Sequence, residues 1–218
     1  TFITSILLGL SLGSGAVFSM RFGEQNWTKL KNDAVAAFVL IAVITVIMNI
    51  VVFAAIELIL TLMIVPETVR PLMRTYLSGI FWGIGAVFIY NFFASLLRAV
   101  GDSLSPLIFL GVAAAVNIVL DLWFVVGLEW GVAGAAWATV IAQWMAAAGI
   151  ALFMFWKKPE LRIKPGEVRF NLKSVKDVFA ESGLTCMQQS VMNFGILMVQ
   201  GLVNSFGATV MAAFAVGV

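Results

Sequence analysis

Asn117 and Asp121 stand four residues apart in a run, LSPLIFLGVAAAVNIVLDLWFVVGL (residues 104–128), whose only charge is Asp121. In a helix that spacing puts both side chains on one face. The run is about long enough to cross a hydrocarbon core. A carboxylate at that depth is costly, so it faces a protein interior or a wet cavity and marks an ion or substrate path. Beyond it, GLEWG (127–131) reads as a tight turn centred near Glu129, and Thr139 follows ten residues later. At a rise of ~1.5 Å per residue, Asp121 and Thr139 lie ~12 and ~15 Å below that turn, with Asn117 about one turn deeper than Asp121. The three side chains could meet between adjacent helices. Carboxylate, amide carbonyl and hydroxyl oxygens are hard ligands suited to a proton or Na⁺ rather than to soft metals. The competing reading is that all three are interhelical hydrogen-bonding groups. It suits Asn117 and Thr139 better than Asp121, because an ionisable group is a costly way to hold two helices together.

The composition says what must position them. The chain is 62% hydrophobic and 11% charged over 218 residues. Soluble domains are ~45–50% apolar and ~25% charged. The apolar runs far exceed the ~9–11 residues of a barrel strand, so the spans are helices and the fold class is an all-α membrane protein, a polytopic helical bundle. There is no His, which excludes the usual imidazole metal sites and His-based catalysis; the single Cys186 can form no internal disulfide. No nucleophile–base pair and no complete metal set suggest an enzyme. GLSLGSG (9–15) lacks the Lys of a phosphate loop and follows no strand, so ATP-driven transport finds no support. Nothing points to nucleic acid. Thr1 opens directly into an apolar stretch without a basic n-region, and Val218 falls inside another, so the chain reads as a fragment of a larger protein.

Five full spans are expected: 1–20, 34–65, 69–97, 104–128 and 132–156. A polar link covers 21–33. The second run is longer than one crossing needs, and its end, near Glu57, is placed at the interface. A sixth span, 178–206, and the start of a seventh follow the one long polar segment, 157–177. With alternating orientation, 11 of the 13 Lys and Arg fall on one side, leaving Arg70 and Arg74 on the other. The positive-inside rule makes the first side cytoplasmic. The 157–177 segment, with seven basic and three acidic residues, is then a cytoplasmic loop, with a lipid-surface helix as the alternative.

Gln189, Asn193, Gln200 and Asn204 fall within about 60° of one another on the sixth span and are expected to line a polar, substrate-facing interior, with bundle hydrogen bonding as the plainer alternative. Gly131, Gly134, Ala135 and Ala138, in small-xxx-small spacing, let helices approach closely. Gly9, Gly13 and Gly15 form a second close-packing face. The plentiful Phe and Met (18 and 10) read as lipid-facing or core residues rather than as an adaptable pocket.

Several motifs, taken together and in order, resemble those of the multidrug and toxic compound extrusion (MATE) family. These are LLRAVGDSLSP (96–106), NIVLD (117–121) and GVAGAAWATVIAQ (131–143), with GLSLGSGAVFSMRFGEQN (9–26) and NSFGATVMAAFAVG (204–217) at either end. The resemblance covers essentially the whole chain. It implies a twelve-helix, two-lobe antiporter that exports cationic or amphipathic drugs in exchange for H⁺ or Na⁺, without a cofactor. Residues 1–156 would be helices two to six of the first lobe, 157–177 the link, and 178–218 the start of the second. The family's first-lobe cation site falls on Asn117, Asp121 and Thr139, with a further acid on helix one, outside this chain; the only metal it implies is Na⁺ at Asp121. Some subgroups carry a Glu within helix seven. Here the sixth span has no acid after Glu181, which favours coupling through the first lobe. The implied setting is the plasma (inner) membrane, and the implied partners are small-molecule drugs and the bilayer, for a monomer when full length. Two rivals remain. A lipid-linked oligosaccharide flippase of the same superfamily would want basic residues inside its spans. A channel or scaffold would use the polar groups structurally.

Overall fold

The computed structural model describes residues 2–62, 67, 70–162 and 172–205, which are helical apart from short connections. α1 (Phe2–Gly23), α2 (Trp27–Ala54) and α3 (Ile56–Leu62) are followed by α4 (Arg70–Trp82), α5 (Ile84–Ala99) and α6 (Leu104–Asp121). A π-helical segment, Leu122–Gly127, continues α6; then come α7 (Gly131–Lys157), a 3₁₀ turn (Pro159–Leu161) and α8 (Leu172–Ser205). Among the described residues, five segments are long and apolar enough to cross a membrane: Thr4–Gly23, Trp27–Ala54, Arg70–Ala99, Leu104–Gly127 and Gly131–Lys157. These are the five expected spans. α8 has the length (34 residues) but falls outside that group, because Gln188, Gln189 and Asn193 dilute its apolar surface.

Several boundaries differ from expectation. The 21–33 link shrinks to Glu24–Asn26, because Asn26 accepts a hydrogen bond from the Lys29 N–H (3.0 Å) and so starts α2 seven residues early. This side-chain cap satisfies a helix-end donor. Lys157 closes α7 and α8 opens at Leu172, so helix occupies both ends of the expected 157–177 loop; residues 163–171 and the expected start of a seventh span, 207–218, lie outside the described residues. The second run breaks at Ala55, and the short α3 carries Glu57, which pairs with Arg70 (3.5 Å) and Arg74 (3.3 Å). Arg70 also pairs with Glu67 at 2.9 Å.

The third span is broken in its middle at Gly83. The Gly83 N–H turns back to the Ile80 carbonyl (2.8 Å), and two other helices supply donors for the carbonyls freed there. Asn49 Nδ2 of α2 donates to Phe81 O (3.0 Å), and Trp144 Nε1 of α7 donates to Trp82 O (3.2 Å). Within a bilayer such re-satisfaction is what allows a helix to break. A Cβ at Gly83 would run into the Gln143 side-chain oxygen of α7.

α1 occupies the centre, between α8, α5 and α2. Its expected close-packing face is present. A Cβ at Gly9 would stand 2.7 Å from Cys186 Cα, and one at Gly15 3.3 Å from Ser95 Cβ. Gly13 meets Ser182 in the same way, and beside it Ser14 Oγ lies 3.1 Å from Ser182 Oγ with both side chains buried. The core continues through Phe18, Phe88 and Phe92, which meet edge-on or tilted, to Ile150 and Met154 of α7.

Candidate functional site: the α6–α7 hairpin

α6 begins where Asp102 accepts from the Ser105 N–H (3.0 Å) and hydroxyl (2.9 Å). It runs regularly for 18 residues and ends at Asp121. The backbone then widens into the π-helical segment; the Leu128 N–H bonds to Trp123 O, five residues back, at 2.9 Å. Wide turns of this kind are rare and recur at functional sites. The chain reverses through Glu129 and Gly131, at φ 56° and 54°. The Trp130 N–H reaches Phe124 O (3.0 Å), and the Phe124 and Trp130 rings stack with centroids 5.1 Å apart. The turn near Glu129 is therefore where the sequence puts it.

Close packing aligns the two arms. A Cβ at Gly134 would sit 3.0 Å from Phe124 Cβ, and Ala138 is fully buried. Gly131 departs from the expected role: it is exposed and serves the turn rather than a helix face.

The hairpin brings Asn117 and Thr139 together. Asn117 Nδ2 donates to Thr139 Oγ1 at 3.4 Å, and the Thr139 hydroxyl donates to Ala135 O at 3.0 Å. Both side chains are half-buried. Asn117 uses its N–H for this bond, which leaves its carbonyl oxygen outside it. Asp121, one turn along α6, makes no such bond: its Oδ1 is shielded from solvent and has no hydrogen-bond partner. A buried acceptor without a partner costs about 1–3 kcal/mol, more when charged. A proton or a small cation would satisfy it, and carboxylate, amide and hydroxyl oxygens suit either.

On α8, Gln189 and Asn193 are half-buried, and Asn193 Nδ2 is turned back onto its own helix at Gln189 O (2.8 Å). The side chains of Gln200 and Asn204 lie outside the described residues.

One polar centre escaped the sequence reading. Arg21 Nε of α1 donates to Asp33 Oδ2 of α2 at 2.8 Å, and Asp33 is 3% exposed. Arg21 also faces Glu24 (3.4 Å) and, on α8, Asp177 (3.9 Å). The available signal was Asn26, whose cap places Asp33 inside a helix instead of in a link.

Residues 1–123 match the MatE family model. The "Probable multidrug resistance protein YpnP" of Bacillus subtilis (strain 168) is 31% identical over 221 residues, covering 97% of this chain and 47% of that protein. A crystal structure of MATE in complex with MaL6 superposes with a TM-score of 0.89 at 23% identity, covering 98% of this chain and 48% of the other. An inward-facing conformation of a multidrug resistance MATE family transporter of the MOP superfamily gives 0.85 at 22%, covering 97% and 48%. The chain thus spans about half the length of the relatives it matches, and its helices take the arrangement found in part of their twelve-helix, two-lobe bundle. With the family model matching more than half of its residues, this multi-pass membrane chain belongs to the multidrug and toxic compound extrusion family.

Proposed function

We propose that the chain is part of a secondary active exporter that exchanges H⁺ or Na⁺ for cationic or amphipathic small molecules, and that Asp121 is its coupling group. The observation that carries this is the buried Asp121 oxygen without a partner, one turn from the Asn117–Thr139 bond. Loading Asp121 neutralises a carboxylate between two packed helices. The loaded and unloaded forms then favour different packings of the hairpin, and the ion biases the conformation through that difference. Asn117 and Thr139 supply neutral oxygens and hold the two helices in register.

On this reading residues 1–156 belong to the first lobe and α8 opens the second. The basic ends of the spans are cytoplasmic, in the plasma membrane. Gln189 and Asn193 face the space between lobes, where substrate passes. The flippase alternative lacks a basic residue on α6 or on α7 before Lys157, so an anionic headgroup would find no counter-charge at the hairpin.

The test is transport by the whole protein in vesicles, with pH and Na⁺ gradients imposed separately. One gradient should drive drug movement in the wild type, and Asp121→Asn should remove that dependence while the protein still inserts. Drug export by Asp121→Asn at the wild-type rate, with unchanged ion dependence, would make the carboxylate structural and the mechanism wrong.

A further inference from the structure

The α6–α7 site and the break in the third span share one unbroken helix. α7 carries Thr139, whose hydroxyl accepts from Asn117 Nδ2 at 3.4 Å, and further along it Trp144, whose Nε1 donates to Trp82 O at 3.2 Å. At ~1.5 Å per residue the two lie about 7.5 Å apart along the axis. Trp144 straddles the break. Its N–H holds the last carbonyl of α4, and its ring lies 3.5 Å from where a Cβ at Gly85, in the first turn of α5, would stand. Gln143, beside it, fills the space that a side chain at Gly83 would need. Before the break α4 lies close on α7: a Cβ at Gly79 would stand 2.9 Å from Ala136 Cβ. The other donor, Asn49 Nδ2 to Phe81 O at 3.0 Å, comes from α2, which supplies no residue to the α6–α7 site.

We propose that Trp144 is a positioning residue for transport, tying the break in the third span to the ion site, and that the tie loosens when Asp121 is loaded. This rests on Asp121 being the coupling group. A proton or Na⁺ on Asp121 draws in the oxygens of Asn117 and, through it, Thr139, and so turns α7 against α6. The same turn carries Trp144 Nε1 away from Trp82 O. In an unbroken α-helix that carbonyl would accept from the Ala86 N–H. Here its partner is a side chain of another helix, so the bond is released without unwinding α5, and α4 is free to swing about Gly83. Packed helix contacts switch between discrete arrangements, which lets a small shift at the site become a hinge movement. On the elements packed against α6, the titratable and charged side chains of α5 and α7 are Tyr90, which donates to Pro106 O, Arg98 and Lys157. All three lie toward the end of α6 opposite Asp121, so the loading of Asp121 is what the ion changes at the hairpin.

Amide hydrogen exchange of the whole protein in lipid nanodiscs, read by mass spectrometry, follows residues 83–87 and 117–128 separately. It is measured with Na⁺ against K⁺, and at low against neutral pH after correction for intrinsic exchange. In the wild type, loading should alter exchange at 117–128 and raise it at 83–87 about fivefold, the factor carried by one neutral hydrogen bond. Asp121→Asn should leave 83–87 blind to the ion. Trp144→Phe, which keeps a ring and removes the donor, should start at the raised level at 83–87 and respond no further, while 117–128 still responds. Asn49→Leu should also start raised yet keep its response, since its lost bond came from α2; a merely structural role for Trp144 would make the two variants alike. A wild-type response at 117–128 with none at 83–87 would overturn the coupling and leave the role of Asp121 standing. No response at either place would overturn the role of Asp121, and the coupling with it. A response at 83–87 that survives in Trp144→Phe would also overturn the proposal, because another contact would then carry it.

Discussion

Arg21 holds Asp33 across the α1–α2 hairpin at 2.8 Å, and the carboxylate is almost wholly enclosed while the guanidinium keeps some contact with solvent. The two residues therefore differ in what their loss leaves behind. Removing Arg21 strands a buried charge, at a cost of about 3 kcal/mol. Removing the charge on Asp33 leaves a half-exposed cation that still has Glu24 and Asp177 within reach. Arg21→Met should accordingly lower the melting temperature in detergent more than Asp33→Asn does. The double variant Arg21→Met/Asp33→Leu should recover part of the loss. Equal effects of the two single changes would show that the pair is no more than a surface ion pair.

At the α6–α7 hairpin, a ranking is expected among neutral and charged groups. Thr139→Val and Asn117→Ala each remove one neutral hydrogen-bonding group, worth about 0.5–1.5 kcal/mol. They should shift the ion concentration that half-drives export several-fold and leave it ion-dependent, and Thr139→Ser should restore the wild-type value. Asp121→Asn should abolish the dependence. A Thr139→Val protein as defective as Asp121→Asn would argue that the hydroxyl, not the carboxylate, is the essential ligand.

The contact between α1 and α8 leaves no room for a side chain at Gly9, where a new Cβ would press on Cys186 backbone at 2.7 Å. Overpacking of this kind costs about 1–3 kcal/mol. Gly9→Ala should lower thermal stability in that range. Gly23→Ala, where a Cβ meets nothing within 4 Å, should leave stability unchanged and serves as the control.

The break at Gly83 is held by Asn49 and Trp144. Each neutral bond contributes about 1 kcal/mol in a span interior, where the freed carbonyl has no water to turn to. Asn49→Leu and Trp144→Phe should each raise amide hydrogen exchange around residues 83–87, and the double change should raise it further. Protection that stays at the wild-type level would mean that the break is stable without its donors.

Orientation is checked with a single cysteine. In a Cys186→Ala background, Ser174→Cys should resist an impermeant thiol reagent in intact cells, whereas Glu67→Cys should react. The reverse pattern would invert the topology.

The five spans and the turn at Glu129 were legible because each rests on a local quantity: apolar length, or turn residues between two apolar runs. The Asn117–Thr139 contact was legible too, since a short hairpin converts sequence offset directly into depth. What stayed hidden depends on partners far along the chain. Nothing in FWGIGA (81–86) distinguishes a broken span from a continuous one, since the donors that make the break tolerable lie on Asn49 and Trp144. Asp33 read as a loop acid because hydropathy records polarity and not the Asn26 cap that draws it into α2. The π-helical segment after Asp121 was equally invisible: it changes the backbone hydrogen-bond register and leaves composition untouched.

That segment gives the Glu129 end of the span one residue of slack. An α-turn closes on the fourth residue and this wider turn on the fifth, so Asp121 stands where two angular phases of the same span meet. Reeling in the extra residue would rotate everything beyond it by about 100° relative to Asp121, the angle one residue subtends in a helix. The carboxylate could thus exchange its neighbours by a local swivel of the span's tip, with no need for α6 to slide lengthwise through lipid.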